Sequence, residues 1–569
     1  MRTFLRIIFT FLAGYMVACQ PSGTVGEIKE ADHSIAKGQA AFTQNCSTCH
    51  NFMRDDIGPR LGGVTEQVTD EWIKTFIKNP QAVIESGDER ALVQYSKFKV
   101  YMPPFGHLSD EEVDYLVAFM ATQPAPATVE TSWNIPEIKD PVPEKVIMTD
   151  LVVDLEEITR FPATAEKPPL ARINKMDYRP DNGKLYLSDL NGKLYELDEG
   201  QPKLYLDMGA RHPDFINKPG LGTGFGSFAF HPEFGENGLL YTTHAEPPAT
   251  EEAYFQYDDS IKVTVQWVFK EWKTDDPEAF PFAPLKSREL FRIDFVTGIH
   301  GLQEVTFNPF SKPGGEDYGF LYLSIGDGAA AEEGFPHLVH NREMPWGTIF
   351  RIDPLGRNSP NGQYGIPASN PFANDGNAKT LGEIYAFGFR NPHRITWSSK
   401  GQMLGSHIGQ QQVDGLNIIL PGHDYGWPVR EGTFMLNAAD RSKLYPLPAD
   451  DSLYNVTYPA AQFDHDEMRA ISGGFEYVGK AIPELKGKYL FGCIVTGRFF
   501  YVNINDLVLG EQATIYGWNV TFDGVERPIE EQCGSKRVDL RFGRDADGEM
   551  YVFTKADGRL YRMKRVRGE

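Results

Sequence analysis

Apolar positions recur with two different periods along this chain. In "YMPPFGHLSDEEVDYLVAFMATQ", Val113, Leu116, Val117 and Met120 fall at helical spacing, and Ser109 followed by Glu112 is a capping-box pattern, which together predict a helix beginning at Ser109. A second helix is predicted in "HSIAKGQAAFTQNCSTCH", running into a cysteine-rich turn. The stretch "QPAPATVETSWNIPEIKDPVPEKV" is proline-rich without apolar periodicity and reads as a semi-rigid linker over residues 124–146. From residue 147 the texture changes. "GKLYLSDLNGKLYELD", "GLLYTTHAE", "GFLYLSIGDG", "KYLFGCIVTGRFFYVNI" and "GEMYVFTKADGRLYRMKRV" are short alternating strands and hairpins separated by Gly, Asp and Asn turns. Recurring hairpins without a fixed period favour a β-propeller over a sandwich. The expected fold is therefore a small all-α domain (residues 31–123) ahead of an all-β propeller (residues 147–569).

Composition agrees with two globular domains. The chain has 569 residues, 41% of them apolar, with 55 Gly and 39 Pro. A net charge of −22 repels nucleic acid, which excludes that class of partner. The first residues carry Arg2 and Arg6, then an apolar run, then small residues, the layout of a secretory signal over residues 1–19. "MVAC" (16–19) resembles the bacterial lipoprotein box, which implies lipid attachment at Cys19 and a short tether over residues 20–30. The mature protein is then expected on the periplasmic side of a bacterial membrane, held by its lipid. Of five cysteines, Cys493 and Cys533 remain after Cys19, Cys46 and Cys49 are assigned, and sequence leaves open whether they pair.

The chemistry begins at "QNCSTCHNF" (44–52). C-x-x-C alone serves redox or zinc chemistry, but Cys46, Cys49 and His50 together form the C-x-x-C-H pattern of covalent haem c attachment, with His50 as axial ligand. Met102 leads the rival sixth ligands His107, Met53 and Met120, because the loop and helix after it resemble those of class I cytochromes c. A methionine there raises the haem potential and makes the haem an electron acceptor.

The large domain is read through resemblance. "GFGSFAFHPEFGENGLLYTTHA", "GIHGLQEVTFNPF", "GFLYLSIGDG", "WGTIFRIDPLGRN", "EIYAFGFRNPHRITW" and "GHDYGWPVREGTF" occur in the order seen in soluble glucose and aldose sugar dehydrogenases that use pyrroloquinoline quinone (PQQ). That family is a six-bladed propeller. The resemblance implies His300 as the general base that takes a sugar hydroxyl proton, Arg390 and Asn391 as PQQ-binding residues, and the carbonyls of Gly409 and Gln410, with Asp414 nearby, as calcium ligands. An imidazole suits a base at neutral pH, and guanidinium groups suit the carboxylates of PQQ. On their own, Asp327 and Asp414 read as turn caps.

Three departures separate this chain from the glucose enzymes. Ile299 stands where an acidic residue precedes the base, and the lysine that approaches the quinone is replaced in "GCIVTGRFF" by Val495 or Thr496, with Arg498 only at a shifted position. "KRVDLRFG" offers Lys536 and Arg537 in place of an R-x-R-D pattern. The resulting expectation is a quinohaemoprotein that oxidises a sugar or related alcohol and hands electrons through the haem to a downstream acceptor. The alternative is a carbohydrate- or protein-binding propeller that carries a separate electron-transfer cytochrome.

Overall fold

The computed structural model describes residues 25–47, 50, 52, 58–98, 101–125, 135–166, 169–220, 222–437 and 441–567. Cys19, Cys49 and Met53 lie outside the described residues. Among the described residues no helix is long and apolar enough to cross a membrane.

The first domain is helical. Its long helix, Val25–Asn45, begins inside the segment expected to be tether. It crosses the helix Asp110–Ala121 at Gly38, where a Cβ would stand 2.0 Å from the carbonyl oxygen of Tyr115, so only glycine permits this approach. The capping box forms as the sequence predicts: Ser109 accepts from the Glu112 N–H, and the Glu112 carboxylate accepts from the Ser109 N–H at 2.7 Å. Such a cap is worth about 1 kcal/mol. Val113, Leu116, Val117 and Met120 are buried as their spacing requires, and each such side chain contributes roughly 1.5–3 kcal/mol on leaving water. The linker is docked: Ile138 donates its N–H to the Leu444 carbonyl at 2.8 Å, and the Val142 N–H reaches Asp464 at 3.3 Å.

The second domain is a six-bladed propeller. Blades one to four are four-stranded sheets whose innermost strands are Ile173–Tyr178, Phe225–Phe230, Leu302–Phe307 and Asn391–Trp397. Blades five and six begin with Ile471–Glu476 and Leu540–Arg544. The strand Ile147–Arg160 pairs antiparallel with Arg559–Arg567 as the outer strand of blade six, and also runs parallel to Tyr516–Phe522 of blade five. The start of the domain thus closes the ring against its end. Each innermost strand touches the next around a central axis.

That axis is filled by charge. Lys175 places its Nζ 2.5 Å from Glu304 and 2.6 Å from the carbonyl of Val305, while Arg394 donates to the carbonyls of Gln303 at 2.5 Å and Asn174 at 2.8 Å. These groups tie blades one, three and four together and plug the channel. A network of this kind adds less to stability than to fixing one arrangement of the blades, because desolvation offsets most of its Coulombic gain. Cys493 and Cys533 both carry free thiols; the Cys493 Sγ lies 3.1 Å from the carbonyl of Arg469.

Candidate active site and haem cavity

On one side of the plug, the loops entering the innermost strands of blades two to six surround a cavity lined by Gly222, Ile299, His300, Gln303, Arg390, Asn391, His393, Gly409, Gln410, Arg469, Val495, Arg537, Asp539, Arg541 and Lys555. His300 sits at its wall with a positive φ of 53°, a conformation uncommon outside glycine. It is held there by Asp327, whose Oδ1 accepts from the His300 Nδ1–H at 2.8 Å. A carboxylate can only accept, so Nδ1 carries a proton and Nε2 is the ring nitrogen left without this partner. Asp327 is fully buried and also accepts from the Ala329 N–H at 2.8 Å and from the Trp427 Nε1–H at 2.9 Å. The turn-cap reading of Asp327 is therefore half of its work; the other half is orienting His300. Gly326 makes the approach possible, since a Cβ there would lie 2.1 Å from the carbonyl oxygen of His300.

Arg390 is fixed on every side. Its Nε donates to Glu332 at 2.5 Å, its Nη1 to the carbonyl of Gly409 at 2.7 Å, and its backbone N–H to His407 Nε2 at 2.8 Å. Burial drives His407 down to about 3, so it is a neutral acceptor. The loop after Gly409 is shaped by Glu431, whose carboxylate accepts from the N–H groups of Gln410 at 2.9 Å, Gln412 at 2.8 Å and Val413 at 2.9 Å.

The lining carries surplus positive charge. Burial, with Asp539 opposing it, brings Arg541 down to about 9; burial together with the neighbouring Arg541 holds Lys555 well below the usual lysine range. His393 is likewise driven neutral, chiefly by burial, and its buried Nε2 has no hydrogen-bond partner; neither do the side-chain atoms of buried Gln410. Buried cations and orphaned polar atoms facing one cavity call for an anionic, hydrogen-bonding occupant. PQQ, with its carboxylates and carbonyls, fits that donor set.

Calcium fits less well. The carbonyl of Gly409 is already engaged by the Arg390 cation, and Asp414 turns inward, its two oxygens accepting from the N–H groups of Gly409 at 2.9 Å and Ile471 at 3.1 Å. Asp414 thus braces the loop instead of facing the cavity, as its turn-cap reading has it. Two further expected residues lie elsewhere. Lys536 pairs with Glu530 at 3.1 Å and Arg498 with Glu467 at 3.1 Å, both with largely exposed side chains outside the lining. The loop entering the strand Leu540–Arg544 turns through Asp539 at a positive φ of 51° and brings Arg537, Asp539 and Arg541 to the cavity together. Arg541, Lys555, His393, Arg469 and Glu431 were not legible as site residues, although Arg541 stands in the "KRVDLRFG" stretch already singled out.

The helical domain holds a second cavity, lined by Cys46, His50, Leu61, Val64, Trp72, Ile73, Phe76, Phe98, Met102, Leu116 and Met120 among others. His50 donates its Nδ1–H to the carbonyl of Pro59 at 2.8 Å, which leaves Nε2 for an iron. Burial holds its pKa below the usual value, against the Pro59 bond. Gly58 lies flat on the ring, where a Cβ would be 2.5 Å from Cε1. Met102 and Met120 reach the wall, Met120 from within the helix core; His107 is exposed and outside the lining. An apolar slot with a histidine on one wall and a methionine in its loop fits haem.

Comparison with known proteins agrees with this geometry. Residues 35–124 match the family "Cytochrome c" and residues 313–562 the family "Glucose / Sorbosone dehydrogenase". The helical domain is thus similar to cytochrome c, and more than half of the propeller to glucose/sorbosone dehydrogenases. Within the propeller, Arg390, Asn391, Arg537, Arg541 and Lys555 fall inside the matched stretch and His300 just ahead of it. The HIPL2 protein of Arabidopsis thaliana is 26% identical over 367 residues, covering 56% of this chain and 50% of that protein. Quinoprotein glucose dehydrogenase B of Acinetobacter calcoaceticus is 23% identical over 289 residues, covering 46% and 52%. The chain thus spans about half the length of these relatives. The soluble aldose sugar dehydrogenase of Escherichia coli, in its apo form, superposes with a TM-score of 0.52 at 19% identity, covering 74% of this chain and 100% of that one, which supports the propeller fold.

Proposed function

We propose that the dehydrogenase domain oxidises a sugar or a related alcohol with PQQ in the propeller cavity, and that the electrons leave through haem c in the cytochrome domain. The observation that carries this reading is the His300–Asp327 pair, 2.8 Å apart, with His300 lining a cavity rich in arginine. Bound PQQ supplies a hydride acceptor, and haem supplies a one-electron outlet. The residues of the chain do the rest. His300 Nε2 takes the hydroxyl proton as the substrate's C–H hydride leaves, and Asp327 holds the ring while the imidazolium forms. Arg537, Arg541 and Lys555 offer charge to carboxylates, and Arg390, clamped by Glu332, keeps a rigid donor edge at the wall. Ile299, apolar beside the base, removes a polar contact to a neighbouring sugar hydroxyl and favours a substrate less hydroxylated there than glucose. No step is assigned to calcium, because the Gly409 carbonyl is held by Arg390. Export and lipid attachment at Cys19 extend the proposal and place the acceptor outside the cytoplasmic membrane.

The haem reports the reaction. Adding an aldose or alcohol to the PQQ-loaded full chain reduces the haem absorption band, and His300→Gln abolishes that reduction at unchanged haem content. A haem that stays oxidised across a panel of sugars, alcohols and aldehydes, with PQQ and calcium supplied, refutes the reading.

A further inference from the structure

The two cavities share a wall. Arg537 lines both the propeller cavity and the haem cavity. Beside it, the Arg469 guanidinium, which lines the propeller cavity, sits 5.9 Å from the ring of Phe98, which lines the haem cavity. A single layer of side chains therefore separates the two sites. Arg537 carries its counter-charge with it, since its Nε lies 3.2 Å from Asp539 Oδ1. Arg541 adds positive charge on the propeller side, and Arg60 and Arg90 on the haem side.

We infer that Arg537 couples the two cavities electrostatically, so that an anion bound in the propeller cavity and the redox state of the haem bias one another. The inference rests on the function proposed above for the identity of the two occupants. A guanidinium in a partly desolvated wall is screened less than one in water, so its charge reaches both sides. Positive charge beside a haem favours the reduced form, which carries one positive charge fewer. An anionic cofactor that meets Arg537 cancels part of that effect and lowers the haem midpoint potential. By linkage, the same cofactor then binds more tightly to the oxidised haem form than to the reduced one. The propeller is loaded preferentially when the haem is ready to accept an electron.

The test is a spectroelectrochemical titration of the full haem-containing chain, with and without PQQ. In the PQQ-free protein, Arg537→Gln lowers the midpoint potential and Asp539→Asn raises it; opposite signs separate a charge effect from local damage, which displaces both variants the same way. Adding PQQ lowers the potential of the parent protein, and Arg537→Gln loses most of that shift. Potentials that do not move, or that move in the same direction in both variants, overturn the inference. Equilibrium dialysis of PQQ against the parent distinguishes the two readings: an absence of binding removes the proposed function, while the PQQ-free comparison still decides the coupling.

Discussion

Asp327→Asn probes the base with a nearly isosteric change. Three donors converge on the Asp327 carboxylate: His300 Nδ1–H and Ala329 N–H on one oxygen, each at 2.8 Å, and Trp427 Nε1–H on the other at 2.9 Å. Asparagine has one acceptor oxygen. With that oxygen toward His300 and Ala329, its NH2 faces the Trp427 N–H. With the amide reversed, it faces the Ala329 N–H and forces His300 Nδ1 to accept, which moves the proton to Nε2 and removes the base. Either orientation leaves a buried donor unsatisfied in a fully buried position, at a cost of about 1–3 kcal/mol in stability. Even in the better orientation His300 exchanges a charged acceptor for a neutral one, a loss of about 1–1.5 kcal/mol. At about 1.4 kcal/mol per decade, this slows proton removal by about tenfold, and the reversed amide slows it further. Stopped-flow reduction of the haem band at saturating substrate measures the rate, and thermal unfolding of the propeller measures the stability. A variant that matches the parent in both refutes the role given to Asp327.

Two further substitutions test the supporting structure. Gly58→Ala pushes a Cβ to 2.5 Å from His50 Cε1; overpacking of about 1–3 kcal/mol displaces the ring, so covalent haem content or the low-spin haem spectrum declines, and a parent-like spectrum at full haem content refutes the role of Gly58. Glu431→Gln halves the acceptors beneath the loop 409–413, where one carboxylate serves Gln410, Gln412 and Val413. With amide facing amide at a cost of about 1–3 kcal/mol, the loop loosens and the apoprotein binds PQQ more weakly in equilibrium dialysis; unchanged affinity shows that the loop does not shape the site.

The sequence by itself determined the helical start and strand-rich remainder of the chain, the capped helix at Ser109 and the C-x-x-C-H pattern. Each is written locally: a cap spans three residues, a helical stripe a few turns, a hairpin one turn and two strands. Resemblance then singled out His300 and Arg390, which do line one cavity. Only the tertiary structure brought Asp327 to His300 and set Glu431 beneath the loop after Gly409, because those partners are 27 and at least 18 residues apart; the first pair meets where Leu302 and Ile325 of adjacent strands in one blade lie opposite each other. The blade loops leave Lys536 and Arg498 outside the cavity and put Arg541 and Lys555 in its lining, a placement that composition does not record. The shared wall at Arg537 was the least legible feature, since it exists only where side chains of the helical domain, Phe98 among them, meet Arg469 and Arg537 of the propeller.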